Sequence, residues 1–209
     1  SMETGQEFQL GSDSGSVILA SLPDGGYMTF WDIHEDDNTT TMRGQRFDAD
    51  SQKVGDEFII DSTVPATYLS AVTTLSDGSL LVVWQAGEYE AGEEYIYAQK
   101  INTNGDNLGS ELQVNTYSHE GFGVQSIDVV GLVDGGFSLV WASGFQGFGG
   151  RSYDALGQPL QDDQLFITTS TQNGYSTSLV ALEDGGFVMI WQALDGSNSG
   201  IFGQRYDAG

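Results

Sequence analysis

The chain has 209 residues, and thirty acidic side chains face six basic ones, for a formal net charge of -24. That balance excludes nucleic acid as a partner, because phosphate backbones need clustered Lys and Arg, and it argues against anionic membrane surfaces. There is no cysteine, hence no disulfide, thiolate zinc site or cysteine nucleophile, and no apolar run approaches the roughly 18 residues of a membrane span.

Ser1-Met2 reads as an expression scar and a start methionine, which leaves a single domain over 3–209. Gly5-Gln-Glu-Phe-Gln-Leu10 has the composition of a lone strand. Val17 to Leu22 is the next strand, and Tyr27 to Trp31 follows it. Between them stands Asp24-Gly25, a hairpin signal in which both central residues are expected at positive φ. A loop with His34-Glu-Asp-Asp37 leads to a third strand, Arg43 to Phe47, and a turn leads to a fourth, Glu57 to Ile60.

The same grammar then recurs. Leu22-Pro-Asp-Gly-Gly-Tyr-Met-Thr-Phe-Trp31 matches Leu75-Ser-Asp-Gly-Ser-Leu-Leu-Val-Val-Trp84. It matches Leu132-Val-Asp-Gly-Gly-Phe-Ser-Leu-Val-Trp141 and Leu182-Glu-Asp-Gly-Gly-Phe-Val-Met-Ile-Trp191 as well. All four Trp residues of the chain share one repeat position, at spacings of 53, 57 and 50 residues. Each Trp ends a strand of alternating apolar residues, so it is expected to pack between repeats. Third strands recur at Tyr97–Ile101, Gly150–Tyr153 and Phe202–Tyr206, and fourth strands at Glu111–Val114 and Leu165–Ile167. Arg46, Lys100 and Arg205, with Arg151 shifted by one, fall on the third strands, where carboxylates are their expected partners.

Four short antiparallel strands per repeat of this length is the content of a propeller blade. The expected fold is therefore all-β, a four-bladed β-propeller. The fourth repeat lacks its last strand, and Gly5–Leu10 supplies the missing pattern, so the ring is expected to close on the N-terminal strand. Two chains exchanging strands, or an open array in a longer parent, are the alternatives.

The pattern Leu-x-Asp-Gly-Gly-Phe-x-x-x-Trp, then Gly-Gln-Arg-Tyr/Phe-Asp-Ala, then Gly-x-Glu-Phe-x-Val-Asn, resembles the tandem repeats of very large secreted bacterial proteins. These are the calcium-binding, adhesin-like proteins of the repeats-in-toxin type. The resemblance covers nearly the whole chain and implies a secreted or cell-surface location. It implies no catalytic residues.

No nucleophile elbow, phosphate loop or metalloprotease helix occurs, and the two histidines stand apart. The expectation is a non-catalytic adhesion or ligand-binding module, not an enzyme. A structural spacer without ligand is the alternative, and a carbohydrate-active enzyme the third reading. Strand alternation puts the long second-to-third loops and the repeat-to-repeat connections on one rim. Tyr89, Tyr95, Tyr117, His119, Phe122, Phe145, Phe148 and Tyr175 gather there as candidate binders of a glycan or peptide. Calcium is the one candidate cofactor, with Asp48, Asp50, Asn102, Asn104, Asp106 and Asp154 as candidate ligands in the third-to-fourth turns. The same residues are ordinary turn formers, which is the reading the spacing favours. The chain is expected to be a monomer, with a strand-exchanged dimer as the alternative.

Overall fold

The computed structural model describes residues 14–35, 39–60, 62–63, 66–87, 94–115, 124–142, 147–161, 164–167, 172–195 and 198–207. They form four antiparallel sheets. Sheet I holds β1 (Ser14–Ser21), β2 (Tyr27–His34), β3 (Thr40–Phe47) and β4 (Lys53–Ile59). Sheet II holds β5 (Ala66–Thr74), β6 (Leu80–Ala86), β7 (Tyr95–Ile101) and the short β8 (Leu112–Gln113). Sheet III holds β9 (Ser126–Gly131), β10 (Phe137–Ala142), β11 (Phe148–Tyr153) and β12 (Gln164–Ile167). Sheet IV holds β13 (Gln172–Ala181), β14 (Phe187–Asp195) and β15 (Asn198–Tyr206), with no fourth strand among the described residues.

Each sheet is a meander, so its first strand is its inner edge. The inner strands neighbour one another in the order β1, β5, β9, β13. No comparable contact joins β13 back to β1 among the described residues, so the four-bladed closure expected from the sequence is not formed there. The closing strand expected at Gly5–Leu10 lies outside the described residues.

The Asp-Gly hairpins differ from the expected two-residue turn. Gly25, Gly78, Gly135 and Gly185 take φ between 82 and 93°, but the Asp before each does not. The Gly25 amide donates to the Leu22 carbonyl at 3.1 Å and the Leu22 amide to the Gly26 carbonyl at 2.8 Å. This is a longer loop in which only the glycine is left-handed. The Asp instead fixes the turn through its side chain, as Asp24 Oδ1 accepts the Gly26 amide at 3.0 Å.

The core lies in the seams between sheets. Each sheet turns its Trp face toward the preceding sheet and its other face, here called trailing, toward the next. Trp84 packs with Met28, Phe30 and Met42 of sheet I. Trp141 packs with Val83, Ile96 and Ala98 of sheet II. Trp191 packs with Val140 and Phe148 of sheet III. All four Trp rings are buried, at 2, 0, 0 and 4% exposure in chain order. Burying such rings is the dominant apolar gain available to a two-layer seam.

Candidate active site

The strands alternate in direction, which separates two rims. One carries the Asp-Gly hairpins and the third-to-fourth turns. The other, here called the upper rim, carries the second-to-third loops and the sheet-to-sheet connections.

The hairpin rim spends its charge on structure. Arg46 meets Asp24 at 2.6 Å, Lys100 meets Asp77 at 2.8 Å, and Arg205 meets Asp184. These are the carboxylate partners expected for the third-strand bases. The Lys100 ammonium and the Ser79 hydroxyl hold the Asp77 carboxyl down to about 2. The Gly26 amide and then Arg46 lower that of Asp24. Arg151 departs because it stands opposite Leu139, the register that Gln45 takes opposite Thr29 and Gln99 opposite Val82. That register faces the preceding sheet, so its guanidinium donates to the Val114 carbonyl at 2.9 Å and lies over the Tyr153 ring.

The candidate metal ligands sit on this rim as turn caps. Asp48 Oδ1 accepts the Asp50 and Gln52 amides at 3.0 and 2.8 Å. Asn102 Oδ1 accepts the Asn104 and Asp106 amides, while its amide nitrogen donates to Asp106 Oδ2. Asp154 Oδ1 accepts the Leu156 and Gln158 amides. Among the described residues no group of three His, Cys, Asp or Glu converges.

Of the candidate ligand-binding aromatics, Tyr89, Tyr117, His119, Phe122 and Phe145 lie outside the described residues, and Tyr175 is described only as a backbone position of β13. Tyr95 opens β7 half-buried on the upper rim. Phe148 must be corrected. It is 1% exposed and packs edge-on to Trp191 at 5.8 Å, in the register of Met42 and Ile96, so it is a core residue.

The upper rim carries three carboxylates, one at each seam, that were not among the candidate site residues. Each lies on a trailing face and reaches the backbone of the next sheet. Asp32, fully buried at the end of β2, accepts the Leu69 amide at 2.9 Å and the Ser16 amide at 2.6 Å. Glu94, at the mouth of β7, accepts the Val124 amide at 2.6 Å. Asp128, on inner strand β9, accepts the Leu179 amide at 2.6 Å and the Val129 amide at 2.8 Å. Asp32 and Glu94 are sealed, but Asp128 is half-buried and keeps a path to solvent. Burial raises its carboxyl above the usual range, and the two amides oppose this without cancelling it.

Polar and aromatic groups flank this carboxyl on the same rim. Ser126 Oγ lies 3.2 Å from Thr177 Oγ1 across the seam from sheet III to sheet IV. On the neighbouring inner strand β5, Tyr68 is 50% exposed and its ring meets His34 edge-on at 5.7 Å. His34 Nδ1 lies 3.0 Å from Thr40 Oγ1. Two signals pointed here. Asp128 is a lone acid inside the apolar run Ser126-Ile-Asp-Val-Val130, and Asp32 follows its Trp where the other repeats have Gln85, Ala142 and Gln192.

No family model and no curated protein sequence matches the chain. Solved structures do match. An endo-arabinase from Bacteroides thetaiotaomicron superposes with a TM-score of 0.55 at 13% identity, over 88% of this chain and 72% of that one. A thermostable family-43 glycoside hydrolase gives 0.54 at 10% identity, over 92% and 71%. The GH93 α-L-arabinofuranosidase of Fusarium graminearum, solved with arabinobiose, gives 0.62 at 12% identity. There the match covers 92% of this chain but only 62% of the fungal enzyme, less than two thirds of its length. These likenesses correct the expectation of a non-catalytic adhesion module and of no enzyme, because the scaffolds matched belong to glycoside hydrolases. At these identities it is the architecture that is shared, and four antiparallel meanders set side by side make this chain a β-propeller fold of that kind.

Proposed function

We propose that the chain is a carbohydrate-active propeller that cleaves glycosidic bonds at its upper rim, with Asp128 as the general acid. The observation that carries this reading is the Asp128 carboxyl, held on an inner strand, half-buried, and pushed up by burial. Glycoside hydrolysis needs a carboxylic acid that keeps its proton at working pH to hand to the leaving oxygen. Burial in an apolar strand, with solvent on one side, shifts the Asp128 carboxyl in the direction that need requires. The Val129 and Leu179 amides donate to its two oxygens and fix its rotamer against the seam.

The second requirement is a carboxylate across the scissile bond. Glu35, exposed just after β2 on the upper rim, is the acid we assign to that role for testing. Asp32 and Glu94 do other work, since both are sealed from solvent, whereas Asp128 is half-buried. Tyr68 offers an exposed ring face of the kind that stacks on a pyranose or furanose, with His34 bracing its edge. The matched structures include an endo-arabinase and an α-L-arabinofuranosidase solved with arabinobiose, so polymers of pentoses are the first substrates to try.

Purified chain is offered arabinan, arabinoxylan, xylan and the matching aryl glycosides, and reducing ends are counted. Turnover on a pentose polymer, lowered by about 10²–10⁴-fold in Asp128→Asn, is the expected result for removal of a general acid. Absence of turnover across the panel, or an Asp128→Asn protein as active as the parent, refutes the reading.

A further inference from the structure

The three seams of the array are built from the same registers, so each end of the array can be compared with its own interior. The residue after the Trp pairs with Met42 on β3, Ile96 on β7, Phe148 on β11 and Ile201 on β15. The first three are 2, 0 and 1% exposed, and Ile201 is 84% exposed. The residue before the Trp is Phe30, Val83, Val140 or Ile190, at 0, 0, 2 and 48%. On the inner strands Ala20 and Val130 are 7 and 9% exposed, whereas Val180 in the same register is 57%. The trailing face of sheet IV is thus a seam surface with no partner among the described residues.

The opposite end shows the complement. Val17 stands opposite Trp31 as Leu69 does opposite Trp84 and Ile127 opposite Trp141. Those two are 3 and 8% exposed, and Val17 is 64%. Leu19 is 67% exposed where Val129 is 5%. Trp31 and Phe47, farther out on that face, are buried, so the open part is the inner-strand margin.

A second deficit lies on the outer edge of sheet IV. Gln45 Nε2 donates to the Val54 and Gly55 carbonyls of the outer strand, and Gln99 Nε2 donates to the Gly109 carbonyl. Gln204 occupies the same register and is exposed, since sheet IV has no outer strand among the described residues to receive it. Gly44 makes room for the Phe58 ring, which a Cβ there would meet at 2.3 Å, and Gly203 repeats that slot with nothing from an outer strand in it. Gly5-Gln-Glu-Phe-Gln-Leu10 carries the outer-strand pattern of Gly55-Asp-Glu-Phe-Ile-Ile60, with Phe8 in the place of Phe58.

We propose that these surfaces mate between two copies of the chain. The trailing face of sheet IV of one copy receives the sheet I margin of the other, whose Gly5–Leu10 segment adds the outer strand to β15. The link from Leu10 to Ser14 is three residues, so the segment can only join a sheet that sits directly against sheet I. Among the described residues sheet IV of the same chain does not, because β13 and β1 make no contact comparable to those joining the other inner strands. The contact joins unlike faces, and such contacts must close by rotation or grow into filaments. Two four-sheet arrays joined at both ends give eight blades, within the usual propeller range of 4–8. At -24 per copy the union opposes itself electrostatically, so it should tighten as salt screens the charge.

The chain has no cysteine, so Phe8→Cys with Gly203→Cys introduces one addressable pair on facing registers. Light scattering of the parent in high salt should give twice the 22.4 kDa chain mass. Oxidised double variant should run as a covalent dimer on a non-reducing gel. A disulfide formed at monomer mass, or no disulfide with a monomeric parent, overturns the proposal. A filament of indefinite size overturns the closed two-copy ring. Ile201→Asp should return the protein to monomer with its near-ultraviolet circular dichroism intact. Leu19→Asp at the other face should do the same, so failure of one variant to fold leaves the second as the test.

Discussion

Trp84→Ala tests the seam as the source of stability. The ring is 0% exposed, stacks on Tyr97 at 6.3 Å with planes 19° apart, and packs against Met28 and Phe30 of the neighbouring sheet. Truncation to Ala removes the transfer gain of the indole and leaves a cavity that two rigid sheets can only partly collapse. Such changes cost roughly 3–5 kcal/mol. For a domain of this size that loss lowers the melting temperature by roughly 6–20 °C, at about 2–4 °C per kcal/mol. Urea unfolding followed by tryptophan fluorescence and by far-ultraviolet circular dichroism measures it. The two probes also report whether the array unfolds as one unit, which a linear stack of sheets need not do. Trp84→Phe, which keeps a ring in the seam, should recover more than half of the loss. A Trp84→Ala protein within about 1 kcal/mol of the parent would refute burial of this ring as a main support of the fold.

Asp128→Asn has a signature in pH as well as rate. The raised carboxyl holds its proton more tightly folded than unfolded, so its stabilising contribution is full below the ordinary carboxyl range and is lost as pH rises through the folded value. Asn should flatten that part of the stability profile, and a parent and variant with parallel profiles would contradict the assigned burial. Asp77 has the opposite sign. Depressed to about 2 by Lys100, it contributes stability above its unfolded value, and that contribution fades as acid takes the pH down to about 2. Lys100→Met should shrink this acid-side loss, by less than about 1 kcal/mol because the pair is largely solvated, as read from melts at pH 2 to 5. Gly44→Ala places a Cβ against the Phe58 ring and should cost about 1–3 kcal/mol in urea unfolding, with Phe58→Leu in the same chain restoring part of it.

Much of the fold was legible because the repeat states it four times. The Trp position, the Asp-Gly hairpins and the third-strand bases all sit where periodicity put them. Phe148 shows how that signal can be misread. Grouped with rim aromatics, it looks like a ligand contact, but aligned on its own strand it falls with Met42 and Ile96 in the core. The candidate site was legible only as two out-of-pattern acids, Asp32 and Asp128. Asp32, Glu94 and Asp128 matter through amides 37, 30 and 51 residues away in sequence, and those contacts exist only once neighbouring sheets dock. Closure was also beyond the repeat, which fixes how each sheet meets the next but not how many sheets complete the circle.

The seam carboxylates carry one more consequence. Repeats this similar invite misassembly, because any trailing face could accept any Trp face during folding. Yet the acid that spans each seam comes from a different place: the end of β2 in the first, the mouth of β7 in the second, the middle of β9 in the third. A sheet docked out of turn would bury one of these acids opposite a backbone not arranged to receive it, and an unmet carboxylate in a dry seam is costly. The three latches therefore act as private addresses along the chain. Transplanting whole repeats between positions should fail at the junctions even where the apolar faces match, while moving each acid together with its receiving strand should succeed.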